Sequence, residues 1–446
     1  MRKTTQFTLD DLLMYIFLFI CINTSKNWGD FLISRGEIFR FDKILLFGQA
    51  NIYHIFVGLF FIIIFFKKFG PSENRNFWLD RNYLKNIFWL YFVPVNLLIY
   101  LSVYIKDINL KDLGVAPIVT FFTYLIFTYY TQDVFFQNKD KNQLNNILTT
   151  IEILIISRCW YSIIKYLLGF GSRNPLTGGV RLGAENDFAD FFVLLFIIAL
   201  TRLFFGKHKS KKFRILHLLA IISPLYVGIF SYRRYFSSEI LIALSIILFF
   251  YYRFNRINFI KKIITVCFFA ILIISSFLFI GENKLSNNYI VGRMLTSFSL
   301  LNYKFESQYG NVSGHIDEIK DGWYNIKNNW LLGITPFGQE KIRRFKTKEW
   351  QKGLYVHNAY LFIWLEYGLL GLVLFVFLYF KSIQLGYILF FKFDNNIGLI
   401  LSTFMICQMI KNIVWPTVIV RMNVTIIYIF LISFALKIKQ LEAYEK

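Results

Sequence analysis

The pair His357–Asn358 opens "VHNAYLFIWLEYGLLG" (Val356–Gly371), a polar start to an apolar run. An imidazole titrates near neutrality, so a His at a water-accessible mouth can take a proton from a hydroxyl and return it; the bland alternative is a half-solvated interfacial side chain. Asn358 either holds a sugar hydroxyl or caps the helix that follows. "SYRRYFSSE" (Ser231–Glu239) sets Arg233 and Arg234 side by side in a short turn. A guanidinium fork grips phosphate through two parallel hydrogen bonds, whereas its ordinary use near a membrane is headgroup contact or snorkelling. Arg173 and Arg181 lie in the Gly-rich "GFGSRNPLTGGVRLGAEND" (Gly169–Asp187), and Arg343 and Arg344 in "KIRRFKTK" (Lys341–Lys348). Both stretches suit an anionic ligand or a solvated surface facing lipid headgroups. Arg158 sits in the middle of an apolar segment, where charge is costly and commonly functional; a structural pair with Glu152 or Glu366 is the other reading.

Missing motifs narrow the chemistry. There is no Walker loop, no D-x-D pair on the loops expected outside, no HExxH and no G-x-S-x-G elbow. ATP hydrolysis and metal-held nucleotide sugars therefore lack their machinery, and neither cofactor nor metal is expected. An enzyme without them needs a substrate that carries its own energy, such as a lipid-linked pyrophosphate. Cys21, Cys159, Cys267 and Cys407 are far apart in apolar segments and read as small hydrophobes.

The elements that must position these residues are membrane helices. Of 446 residues 56% are hydrophobic, 20% aromatic and only 17% charged. Apolar runs recur at 9–27, 50–66, 86–105, 114–131, 146–169, 187–204, 213–230, 236–252, 260–281, 357–380, 396–414 and 416–436, giving about twelve spans. Backbone polar groups in lipid must be paired within each segment, which predicts helices and an all-α polytopic membrane protein. The stretch Ile383–Phe391 either extends the tenth helix or lies along the interface. "MRK" before the first run looks like a signal peptide, but no small-residue cleavage site follows it.

The net charge of +22 would suggest nucleic acid in a soluble protein. Here "RLFFGKHKSKKFR" (Arg202–Arg214) holds six basic residues and no acid, and Lys67–Lys85 and Tyr252–Lys262 are also basic. These loops share one face if both termini are cytoplasmic, so the charge reports orientation and no nucleic-acid partner is implied. The expected organisation is helices one to nine over 1–281, a long external segment over 282–356, and helices ten to twelve over 357–446. Within the long segment Ile316, Ile319, Trp323 and Ile326 form one apolar helical stripe, suited to lying on the membrane or capping the bundle.

At this point the chain resembles the O-antigen polymerase and O-antigen ligase superfamily. Its H-[NSQ]-x9-G-x2-[GTY] motif is matched by His357, Asn358, Gly368 and Gly371. "NNWLLGITPFGQ" (Asn328–Gln339) resembles the block that precedes that motif. Arg181, Gly183, Asn186 and Ala189 match an Arg–Gly–Asn–Ala block, and "SYRR" an Ser–Arg block, with Arg233 in the Arg position and Arg234 a second candidate. The family often has an Arg heading the amphipathic helix; here the nearest is Arg293.

The resemblance implies a GT-C-like inner-membrane glycosyltransferase acting on the external face. Donor and acceptor would be undecaprenyl-pyrophosphate-linked oligosaccharides. Its catalytic residues would be His357, Arg233 and Arg234. Arg181, Arg173, Asn186, Asn358, Arg293, Arg158, Arg343 and Arg344 would contact substrate. Membrane lipids and a chain-length regulator would be its other partners. Polymerase is favoured; O-antigen ligase or protein O-oligosaccharyltransferase is the alternative, and a flippase of the same glycan lipid a third reading. The expectation common to the enzyme readings is that imidazole and guanidinium converge around a diphosphate leaving group.

Overall fold

The computed structural model describes residues 8–23, 52–69, 116–167, 186–206, 211–230, 234–254, 312–331, 333, 341–343, 350–352, 356, 358–413 and 422–444, in places by backbone alone. Eleven α-helices are named here in chain order: α1 (Leu9–Asn23), α2 (Ile52–Phe69), α3 (Ala116–Tyr129), α4 (Lys141–Leu167), α5 (Asn186–Phe205), α6 (Lys211–Phe230), α7 (Arg234–Phe254), α8 (Val312–Asn329), α9 (Ala359–Phe393), α10 (Asn396–Lys411) and α11 (Met422–Tyr444). A π-helical turn, Tyr130–Phe135, continues α3. β1 (Lys341–Arg343) and β2 (Trp350–Lys352) pair antiparallel, a small ribbon that departs from the expected all-α chain. The expected spans at 86–105 and 260–281 lie outside the described residues; the others fall on helices. Among the described residues three helices are long and apolar enough to cross a membrane: 141–164, 367–393 and 424–444. The chain is thus a helical protein of membrane type.

It divides into two compact units interleaved in sequence. The first takes residues 1–52, 140–310 and 386–407. Here α4 starts at a reciprocal cap: the Gln143 amide donates to Asp140 Oδ1 at 2.8 Å, and the Asp140 amide to Gln143 Oε1 at 2.9 Å. α5 is apolar all round and buried from Val193 to Leu200, because α4, α6 and α7 all pack on it. At the end of α9, Asp394 takes a left-handed φ of 51°, and Asn395 Oδ1 then accepts the Ile397 amide to start α10. Past this turn α9 and α10 touch backbone to backbone. A Cβ on Gly398 would fall 2.3 Å from the Gly386 carbonyl oxygen, so no side chain fits there.

Polar groups buried in the first unit are cross-linked. Glu152 of α4 accepts Arg202 of α5 at 2.8 Å on one oxygen and meets His217 Nδ1 of α6 at 2.6 Å on the other. Arg202 also donates to Thr149 Oγ1 at 2.9 Å and Asn145 Oδ1 at 2.7 Å. The suggested Glu152–Arg158 pair is corrected by this network. Six residues apart, the two sit about 240° around the helix, on different faces. Arg158 is buried, with its guanidinium 5.0 Å from the Tyr161 ring centroid.

The second unit takes residues 53–139, 311–385 and 408–446. α11 is buried for most of its length and packs on α3 and the π-helical turn. There Phe136 lies 5.1 Å from Phe430 and 5.7 Å from Phe434, and Phe60 stacks on Tyr130 at 4.0 Å. The turn leaves room for Thr131 Oγ1, which donates to the Phe127 carbonyl at 2.9 Å and lies 3.1 Å from Ser433 Oγ.

α9 is not the straight span expected from 357 to 380. Asn412 touches it twice: its carbonyl accepts the Ala359 amide at 2.7 Å, and its Nδ2 donates to Tyr379 Oη at 2.8 Å. Twenty residues of straight helix would separate those contacts by about 30 Å. The chain must therefore fold back between them, and it does so at Gly368, with φ 69° and ψ −173°. Ala359–Tyr367 forms a short arm lying back along the span, and Tyr360 packs edge-on against Phe375, 5.9 Å between ring centroids. The continuation through Ile383–Phe391 is helical, which settles that stretch as an extension of the span.

Candidate active-site corner

The spacing of the His–Asn motif is the anatomy of this corner. Asn358 is the N-cap of the arm: its Oδ1 accepts the Leu361 amide at 2.9 Å. Its Nδ2 donates to the Ile413 carbonyl at 3.0 Å, and Tyr360 Oη to the Met409 carbonyl at 2.7 Å. The nine residues between Asn358 and Gly368 are the arm itself. Gly368 supplies a backbone conformation open essentially to glycine alone. Gly371 leaves space for the chain arriving at the break, since a Cβ there would lie 2.3 Å from Tyr367 Cβ. Of the two uses open to Asn358, the described contacts are those of a cap.

A break in a helix strands backbone donors, and the long segment satisfies one. α8 ends at Asn329, where Gly333 takes a left-handed φ of 72° and its amide returns to the Asn329 carbonyl at 2.8 Å. That turn aims the Trp330 carbonyl at the corner. It accepts the Leu369 amide at 2.8 Å, just past the break, and Trp364 Nε1 at 2.9 Å from the arm. Two blocks recognised separately in the sequence, Asn328–Gln339 and His357–Gly371, thus meet through Trp330. Beneath them Val356 is fully buried against Ile326 and Leu365, with its Cγ2 3.4 Å from where a Gly322 Cβ would stand. α8 thus packs in van der Waals reach of the residue that precedes His357.

The amphipathic stripe is divided in use. Asp321, Gly322, Asn325 and Ile326 form the buried side of α8, which also packs on β1, while Ile319 and Trp323 stay exposed. Of the expected site residues, Asn358 and Arg158 are described with their side chains. Arg234 and Asn186 are placed in backbone alone, at the first residues of α7 and α5, and Arg343 at the end of β1. His357, Arg233, Arg173, Arg181, Arg293 and Arg344 lie outside the described residues, as does any convergence of imidazole and guanidinium. Glu366 is described in backbone only. Among the described residues no group of three or more His, Cys, Asp or Glu side chains could hold a metal.

Trp330, Tyr360, Tyr379 and Asn412 hold the corner and were not singled out by their sequence. Trp330 had a signal, its place inside the block before the motif. Tyr379 and Asn412 had none, since their roles depend on contacts between segments distant in the chain. A family model described as O-Antigen ligase matches residues 236–376, a stretch that runs from α7 through α8 and the corner into α9. No curated protein matches the chain significantly.

Proposed function

We propose that the chain, whose residues 236–376 match a family model described as O-Antigen ligase, is a GT-C-like polymerase of lipid-linked oligosaccharide repeat units. It transfers a growing glycan from undecaprenyl pyrophosphate to a hydroxyl of another lipid-linked unit, on the external face of the inner membrane. The observation that carries the reading is the corner. Asn358, Gly368 and Gly371 have structural tasks in it, and His357 is the motif position left for chemistry.

In this mechanism His357 orients the acceptor hydroxyl and takes its proton as the new glycosidic bond forms at the anomeric carbon. The C–O bond to the pyrophosphate breaks with its electron pair, and undecaprenyl pyrophosphate leaves carrying the negative charge. Arg233 and Arg234 bind that diphosphate and stabilise the charge as it develops. Arg173, Arg181 and Arg293 add phosphate contacts, Arg343 and Arg344 draw the anionic donor in, and Asn186 and Arg158 support the donor site. Spare hydrogen-bonding capacity on Asn358 reaches the acceptor sugar. The long segment, with α8, limits water that would hydrolyse the donor.

The family description favours a second reading, transfer of the finished chain to lipid A-core. Purified protein given lipid-linked repeat units alone separates the two. A ladder of lengthening lipid-linked products supports polymerisation. Products formed only when lipid A-core is added would replace it with the ligase reading.

A further inference from the structure

The geometry points to α8 as an interfacial membrane anchor that sets the depth of the corner. Ile319 and Trp323 stand one turn apart on α8, about 40° from each other around its axis, and Trp330 follows in the turn that ends the helix. Trp323 is 47% exposed, Trp330 and Leu331 52% each, while the adjoining side of α8, Asp321, Gly322, Asn325 and Ile326, is buried in the protein. This surface does not stop at α8. Trp330 is tied to Leu369, and the next outward residues of α9, Leu370, Val373, Phe377 and Phe380, follow helical spacing and are open too. They belong to the segment 367–393 that is long and apolar enough to cross a membrane.

One apolar surface therefore runs from a spanning helix, whose open side faces lipid, onto a helix outside the span. Trp is the residue suited to the junction, with an apolar body for the acyl boundary and an N–H for the headgroup layer. Lys320 and Lys327 are exposed along one flank of the strip, where they meet anionic headgroups. The occupant is the interfacial layer of the bilayer itself. Trp323 packs edge-on against Trp364 of the arm at 5.6 Å, so the strip and the arm move together. The corner is thereby held at the depth where a lipid-linked pyrophosphate presents its phosphates. The anchor holds whichever acceptor the enzyme uses, so its failure leaves the polymerase reading standing.

Fluorescence quenching in nanodiscs of phosphatidylglycerol and phosphatidylcholine tests it, with bromine at the 6,7 positions of the acyl chains. Trp323→Phe/Trp330→Phe together should remove a clear share of the quenchable signal given by the nine tryptophans of the chain. Quenchable signal unchanged in the double variant would overturn the anchor. Relief of wild-type quenching by added undecaprenyl phosphate would overturn it in favour of a polyprenyl site. Relief by raising the protein-to-disc ratio would overturn it in favour of a contact between copies. A nitroxide on Ile319→Cys, which leaves the tryptophans intact, gives an independent reading. Greater accessibility to oxygen than to a nickel chelate supports the anchor, and the reverse order sinks it.

Discussion

At Gly368 the backbone takes a conformation that a residue with a Cβ tolerates only at a cost of about 1–3 kcal/mol. Gly368→Ala should lower the unfolding temperature in detergent and cut glycan transfer at least tenfold, because the arm that carries the motif would be displaced. Unchanged melting and activity would mean the bend is not needed. Asn358→Ala removes a cap worth about 1 kcal/mol, whereas Asn358→Asp keeps an acceptor for the Leu361 amide and should retain more activity. Equal loss in both variants would mean that the amide reaching the acceptor sugar outweighs the cap. His357→Ala should abolish transfer without changing the amount of protein in the membrane, and normal glycan length in that variant would defeat its assignment. Arg233→Lys keeps the charge but loses the fork, so a severe loss is expected; near-wild-type transfer would reduce Arg233 to a surface charge. The motif residues were legible in the sequence as residue types. Their division of labour was not, because φ leaves no trace in composition, and a cap and a sugar ligand ask for the same amide.

Helices were legible because each long apolar run has to pair its own backbone in lipid. Their interruptions were not: "EYGLLG" continues the apolar pattern of α9 straight through the break at Gly368. Pairing between helices was hidden as well. Glu152 suggested Arg158 as a neighbour, yet its oxygens go to Arg202 and His217, 50 and 65 residues away. Glu152→Ala would leave a guanidinium buried among α4, α5 and α6 without its carboxylate. A loss of about 3–5 kcal/mol is expected, read as a lower unfolding temperature of the purified protein. Glu152→Gln should be milder, since an amide oxygen still accepts one of the two donors. If both variants melted with the wild type, the network would be dispensable for holding the three helices.

For the molecule as a whole, the charge pattern predicts orientation. In a cysteine-free background, Tyr232→Cys should react with a membrane-impermeant maleimide in cells with a permeabilised outer envelope. Lys209→Cys should react only once the inner membrane is opened. The reverse pattern would place the Arg233 turn in the cytoplasm, away from any external glycan, and the proposed chemistry would fail with it. Length and hydropathy gave the class of the molecule from composition, but not the interleaving of its two compact units, which long-range contacts decide. The Trp330 carbonyl has one more consequence. An amide at membrane depth without an acceptor is destabilising by several kcal/mol, and the Leu369 amide has its acceptor only while α8 is docked. During folding the bend can mature only after the turn that ends α8 has docked to latch it. In the mature enzyme, admitting a bulky glycan by peeling α8 away would unlatch the bend, so α8 and the arm are expected to swing as one piece.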